Sequence, residues 1–231
     1  MEKEKEDLIK LILGITKKSE RFSTLQLALE RARYFCGNEG GSEKYSEAKF
    51  AFRQNNLDKL LEGDFPKRNE EIGDIFVSIL LYLNSLEQLG NLFYSRENTK
   101  NGITDTLNHA SRIGIVDFSD GEMPNAIKRL RHALAHNYSL VSMPNSHSKD
   151  KIYYKYTFSY ENRKDKILEM PKTNWNGNYK DKKEDSSVIV YVIPLINKIE
   201  EIIEKSKDEF QNGLLSCKMP LEKIRTKFTI I

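Results

Sequence analysis

Residues 69–94 read NEEIGDIFVSILLYLNSLEQLGNLFY. Within them Ile72, Ile75, Phe76, Ile79, Leu80, Leu83, Leu86 and Leu89 recur every three or four residues, the spacing of a helix face. The stripe is too broad for a helix that leans on one neighbour. It predicts a helix buried on several sides, and so the centre of a helical bundle. Flanking segments supply the partners. Residues 3–17 place Leu8, Leu11, Ile12 and Ile15 at helical spacing under charged neighbours. Ser23 or Thr24 is placed to cap a second helix that runs through Phe35, with Gly37 as its stop and GNEGGS (37–42) as a loop. Further helices are expected over about 43–61 and 103–113. Another opens at Ser119 or Asp120, carries Pro124 in its first turn, turns Ile127, Leu130 and Leu134 inward, and ends near Asn137.

Past residue 140 the period changes to two. Ile152, Tyr154, Tyr156, Phe158 and Tyr160 alternate with more polar positions, which reads as a strand. Lys166–Met170 is expected to be its hairpin partner across ENRKD, and 171–187 a polar, mobile loop. The β-branched run Val188–Ile193 is expected to form a third strand, with Pro194 in the first turn of a final helix over 194–212. The fold class is therefore mainly α: a helical bundle with a small antiparallel β-sheet inserted at about 150–193 before the C-terminal helix. Residues 1–231 read as a single domain. A chain of 231 residues with 39% hydrophobic and 31% charged residues has enough apolar material for one such core.

Most site templates find no match. The chain has no Gly-rich phosphate loop, no G-x-S-x-G and no Cys/His cluster with metal spacing, so neither a cofactor nor a metal is expected. The acidic pairs Glu70–Glu71 and Glu200–Glu201 diverge around their helices and read as solvated faces. Cys36 and Cys217 make no disulfide framework, and no apolar run is long enough to span a bilayer. The expectation is a cytoplasmic protein without membrane contact. A net charge of +3 neither demands nor excludes a nucleic-acid partner, because local patches outweigh the total.

Chemistry concentrates in KRLRHALAHNY, residues 128–138, which holds Arg129, Arg131, His132, His136, Asn137 and Tyr138, and two of the four histidines. Within it, RHALAHN resembles the Arg-x4-His motif of the HEPN (higher eukaryotes and prokaryotes nucleotide-binding) superfamily, in which Arg is followed by a polar residue, small or apolar residues, and His. His132 stands at the polar position, where Asn or Asp is also common. The resemblance implies a HEPN-like bundle and a metal-independent endoribonuclease, with Arg131 and His136 as the catalytic pair and His132, Asn137 and Tyr138 as auxiliary residues. It implies RNA as substrate, a homodimer with a composite site in its cleft, and a setting in toxin–antitoxin or phage-defence systems. Tyr138 completes Arg-x4-His-x-Tyr, which is similar to the motif of toxins paired with a nucleotidyltransferase antitoxin, where the tyrosine accepts nucleotidyl groups.

The residue types suit that chemistry. Cleavage by the 2′-OH needs proton transfers, for which histidine is poised near neutrality, and charge stabilisation, for which the arginine fork is suited. On one straight helix, however, Arg131 and His136 project about 140° apart. Either the helix unwinds near His136 or two copies pool their pairs. Two other readings cover the same residues: a non-catalytic HEPN module that binds nucleotide or RNA, and a helical interaction protein whose cations meet the negative end of the helix dipole. His109 and His147 read as incidental. Tyr153, Tyr154, Tyr156 and Tyr160 read as sheet packing more readily than as base-stacking platforms, and Trp175 as a contact residue or as the anchor of its loop.

Overall fold

A computed structural model describes residues 2–16, 23–35, 65–94, 101–118, 121–137, 139–143, 152–161, 163, 166–178 and 183–228. The helix expected over 43–61 lies outside these residues, as do Cys36, Ser119, Asp120, Tyr138 and His147. Among them the protein is mainly helical, with a small mixed four-stranded sheet. The elements run α1 (Glu2–Ile12), α2 (Thr24–Phe35), α3 (Phe65–Leu89), a π-helical turn (Gly90–Tyr94), α4 (Gly102–Arg112), α5 (Met123–Asn137), β1 (Val141–Ser142), β2 (Tyr154–Ser159), β3 (Leu168–Glu169), a 3₁₀ turn (Glu184–Ser186), β4 (Val188–Tyr191), α6 (Val192–Gln211) and α7 (Leu221–Phe228).

The central helix is α3. It packs against α2, α4, α5 and α6, and its Ile75, Ile79, Tyr82, Leu83, Leu86 and Leu89 are all buried in one continuous core. Each such side chain contributes roughly 1.5–3 kcal/mol over its exposed state, so this face dominates the fold. Polar links pin it further. Ser78 Oγ donates to the Ala32 carbonyl at 2.8 Å. Tyr82 Oη donates to Glu200 at 2.7 Å, and Glu200 also accepts from Arg33 Nε and Nη2 at 2.7 and 2.6 Å. Glu200 is thus not on a solvated face as its sequence suggests, but joins α2, α3 and α6.

Local signals explain the helix ends. α1 stops at Ile12, short of the expected residue 17, because Gly14 adopts φ +72° and the Ile15 N–H turns back to the Lys10 carbonyl. Of the two candidate caps, Ser23 is the one used. Its Oγ accepts from the Gln26 N–H at 3.1 Å while Gln26 Oε1 accepts from the Ser23 N–H at 3.3 Å, a reciprocal capping box. The stretch expected as helix through Tyr94 is α-helical only to Leu89 and closes as a π turn. There α3 and α4 approach until backbones nearly touch: a Cβ on Gly90 would lie 2.5 Å from the Gly102 Cα. Thr106, fully buried, shares its hydroxyl proton between the Leu86 and Gly102 carbonyls at 2.9 and 2.8 Å.

The sheet departs from expectation in three ways. Its order is β1-β2-β4-β3, and β2 pairs in parallel with β4, Tyr156 opposite Val188 and Phe158 opposite Val190. It is therefore mixed, not antiparallel. β3 pairs antiparallel with β4 rather than forming a hairpin with β2. The cause is β4, VIVY, whose Val188 and Val190 are fully buried. Such a β-branched run fits the centre of a sheet, and it displaces β3 to the edge. The sheet also begins earlier than 150, at Val141, where β1 pairs with β2. Helix α6 starts at Val192, directly off β4, with Pro194 in its first turn as expected. It is not the last helix, since α7 follows and buries Ile224 and Phe228.

Tyr154 and Tyr156 are buried, and Tyr156 Oη donates to the Ala126 carbonyl of α5 at 2.7 Å. Phe158 meets Phe76 of α3 edge-on at 5.2 Å. These rings lock the sheet onto the bundle. Trp175 is the anchor of its loop: it is buried, bridges to Tyr153 and donates from Nε1 to the Asn178 carbonyl at 3.1 Å. The segment expected to be a mobile loop is thus pinned at Trp175.

Candidate functional site

Helix α5 carries the motif, and its apolar face orients everything else. Ala126, Ile127, Leu130, Ala133 and Leu134 are buried, so Arg131, His132 and His136 fall on its flanks. The helix stays α-helical through Asn137, so it does not unwind near His136. Arg131 and His136 accordingly point different ways. Asn137 closes the helix, and Tyr138 lies outside the described residues.

Arg131 reaches across to α3. Its Nε donates to Asn84 Oδ1 at 3.0 Å, and its Nη2 forms an ion pair with Glu87 Oε2 at 2.6 Å. The Arg131 and Glu87 side chains keep 22% and 30% exposure, so the pair is partly desolvated and still reachable from solvent. His136 is exposed. One turn back, half-buried His132 stacks on it, ring centroids 5.7 Å apart and 14° from parallel. Burial pushes the His132 imidazole below its ordinary value, helped by the neighbouring Arg131, His136 and Lys128, and opposed by Glu87. Lys128 precedes His132 by one turn on the same face and donates to Asn101 Oδ1 at 2.7 Å. The motif thus splits into a row of Lys128, His132 and His136, and an arginine turned toward α3.

Asn84 and Glu87 are site residues that the sequence reading missed. They sit three apart in α3, between buried Leu83, Leu86 and Leu89. Polar residues at helical spacing inside an apolar helix were the available signal, because such groups need a partner from a neighbouring element.

His109 is not incidental to the fold. Its Nε2 lies 3.0 Å from Glu209 Oε2, and Tyr94 of the π turn stacks on its ring at 4.4 Å. Tyr94 Oη and Ser206 Oγ are 2.9 Å apart, and burial raises the Tyr94 phenol to about 12. This cluster ties the π turn, α4 and α6 together.

Among the described residues, no group of three or more His, Cys, Asp or Glu could hold a metal ion, and no helix is long and apolar enough to cross a membrane. No family model matches the chain, and neither does any curated protein or solved structure.

Proposed function

We propose that this chain is a HEPN-type endoribonuclease that cleaves RNA by attack of the 2′-OH on the adjacent phosphorus, with His136 in proton transfer and Arg131 on the scissile phosphate. The observation that carries this reading is one unbroken helix that presents an exposed imidazole in its last turn and, five residues earlier, a partly exposed guanidinium braced against the neighbouring helix. The nucleophile belongs to the substrate and the proton carriers to the protein, so no metal is required by the chemistry. Because Arg131 and His136 diverge by about 140°, the working unit is a homodimer in which two α5 helices share one cleft. A role in a toxin–antitoxin or phage-defence system, with an antitoxin or nucleotidyltransferase partner, accords with the motif. The test is incubation of the purified protein with single-stranded RNA in EDTA. Cleavage leaving 2′,3′-cyclic phosphate and 5′-OH ends, lost on 2′-deoxy substitution at the cut, is the expected result. A strict monomer in light scattering at micromolar concentration would remove the composite site.

One observation favours a second reading, a non-catalytic module for binding or helix packing. The Arg131–Glu87–Asn84 contacts are also what a purely structural latch between α3 and α5 would make. An intact RNA with measurable affinity, or no RNA binding at all, would select that reading.

A further inference from the structure

The side edge of the Arg131 guanidinium, its Nε and Nη2, faces α3, where Asn84 takes one group and Glu87 the other. Nη1 makes no hydrogen bond or ion pair among the described residues. A guanidinium has two edges able to grip an oxyanion, the side edge and the end edge formed by Nη1 and Nη2. The first is occupied, and the second, made of Nη1 and the other Nη2 proton, takes no partner among the described residues. The side chain is also held at two points by one helix, α3, which is packed into the core there through the fully buried Leu83 and Leu86.

We infer that Glu87 and Asn84 are positioning residues, which clamp Arg131 by its side edge so that its end edge meets a phosphate in a set orientation. This rests on the nuclease reading above. Neither residue touches substrate, and both act through Arg131. The carboxylate's contribution is geometric: what matters is an acceptor oxygen at the right distance from Nη2, not a negative charge near RNA. A carboxylate taking part in proton transfer, or one merely stabilising the fold, would behave differently under substitution.

The experiment measures kcat and KM on a labelled single-stranded RNA for Glu87→Gln, Glu87→Asp, Glu87→Ala and Asn84→Ala, each also in an Arg131→Ala background. Melting curves confirm that each variant is folded at the assay temperature. Glu87→Gln keeps an oxygen in place and should stay within a few-fold of wild type. Glu87→Asp keeps the charge but withdraws the oxygen by one methylene, and should lose kcat by about 10²-fold, the scale of an ångström-sized misplacement. It also keeps the assay informative if Glu87→Ala does not fold. Glu87→Ala should fall at least as far, Asn84→Ala less, and all four should add less than about twofold once Arg131 is already Ala, since coupled sites are not additive. Activity in the order Gln above Asp, with loss confined to the Arg131 background, supports the inference. Asp above Gln, wild-type activity in Glu87→Asp and Glu87→Ala, faster cleavage by Glu87→Ala, or equal losses in the Arg131→Ala background would each overturn it while leaving the nuclease reading standing. An inert wild type, or an Arg131→Ala variant as active as wild type, would sink the nuclease reading and the positioning role with it.

Discussion

Gly90→Ala adds one methyl group where α3 meets α4. The new Cβ would stand 2.5 Å from the Gly102 Cα and closer still to the Gly102 carbonyl oxygen, whereas Cβ contacts under 3.0 Å are essentially never seen. Both obstructing atoms are backbone, so no side chain can swing aside, and to bring the 1.9 Å approach to the Gly102 oxygen up to 3.0 Å, α4 must retreat by about an ångström. It carries Ile103, Leu107 and Thr106 with it, all buried. The opposing effect is helix propensity, which favours Ala over Gly by about 1 kcal/mol. Overpacking costs about 1–3 kcal/mol, and stretching the buried Thr106 hydroxyl from its carbonyls costs about 1–3 kcal/mol more. The clash wins, and a net loss of about 3 kcal/mol is expected, or roughly 6–12 °C in Tm for a chain of this size. Urea and thermal melts followed by far-UV circular dichroism measure it. Gly121→Ala is the control: no atom lies within 4 Å of its added Cβ, and it should stay within about 0.5 kcal/mol of wild type. A Gly90→Ala protein as stable as wild type would refute the close approach of α3 and α4.

His136→Ala should lower the cleavage rate by about 10²–10⁴-fold, and Arg131→Lys should restore little over Arg131→Ala because the fork is gone; product analysis and initial rates on RNA decide both. Arg33→Ala strands Glu200 with Tyr82 as its remaining partner among the bonds described above, at 16% and 19% side-chain exposure for the pair, and should cost about 3–5 kcal/mol in denaturant melts. A loss below about 1 kcal/mol would mean that the pair is solvated after all. The lowered pKa of His132 means that the unfolded chain binds its proton more readily than the folded one. Its contribution is therefore whole above the ordinary histidine value of 6.5 and declines as pH falls through it. His132→Gln should flatten the loss of Tm between about pH 7 and 5, and an unchanged slope would argue against a half-buried imidazole there.

How much of this was legible in the chain depends on the range of the interaction. The helical period that runs through α3, a cap at Ser23 or Thr24, Pro194 in the first turn of α6 and the motif on α5 are all local and were legible in the spacing, whereas the choice of Ser23 and the π turn after Leu89 were not. The Gly14 stop was equally local but masked by the apolar period running past it. Strand pairing is different. Alternation marks β2 as a strand but says nothing of its neighbour, because a pleated edge accepts any partner. β4, with Val188 and Val190 fully buried, took that place and left β3 at the edge. The direction of Arg131 is likewise tertiary. Position on α5 puts its side chain on a flank, but Asn84 and Glu87, more than forty residues earlier, decide which way the guanidinium turns. Local periodicity is written in a few consecutive residues, whereas pairing and side-chain direction depend on groups that meet only when the chain closes on itself.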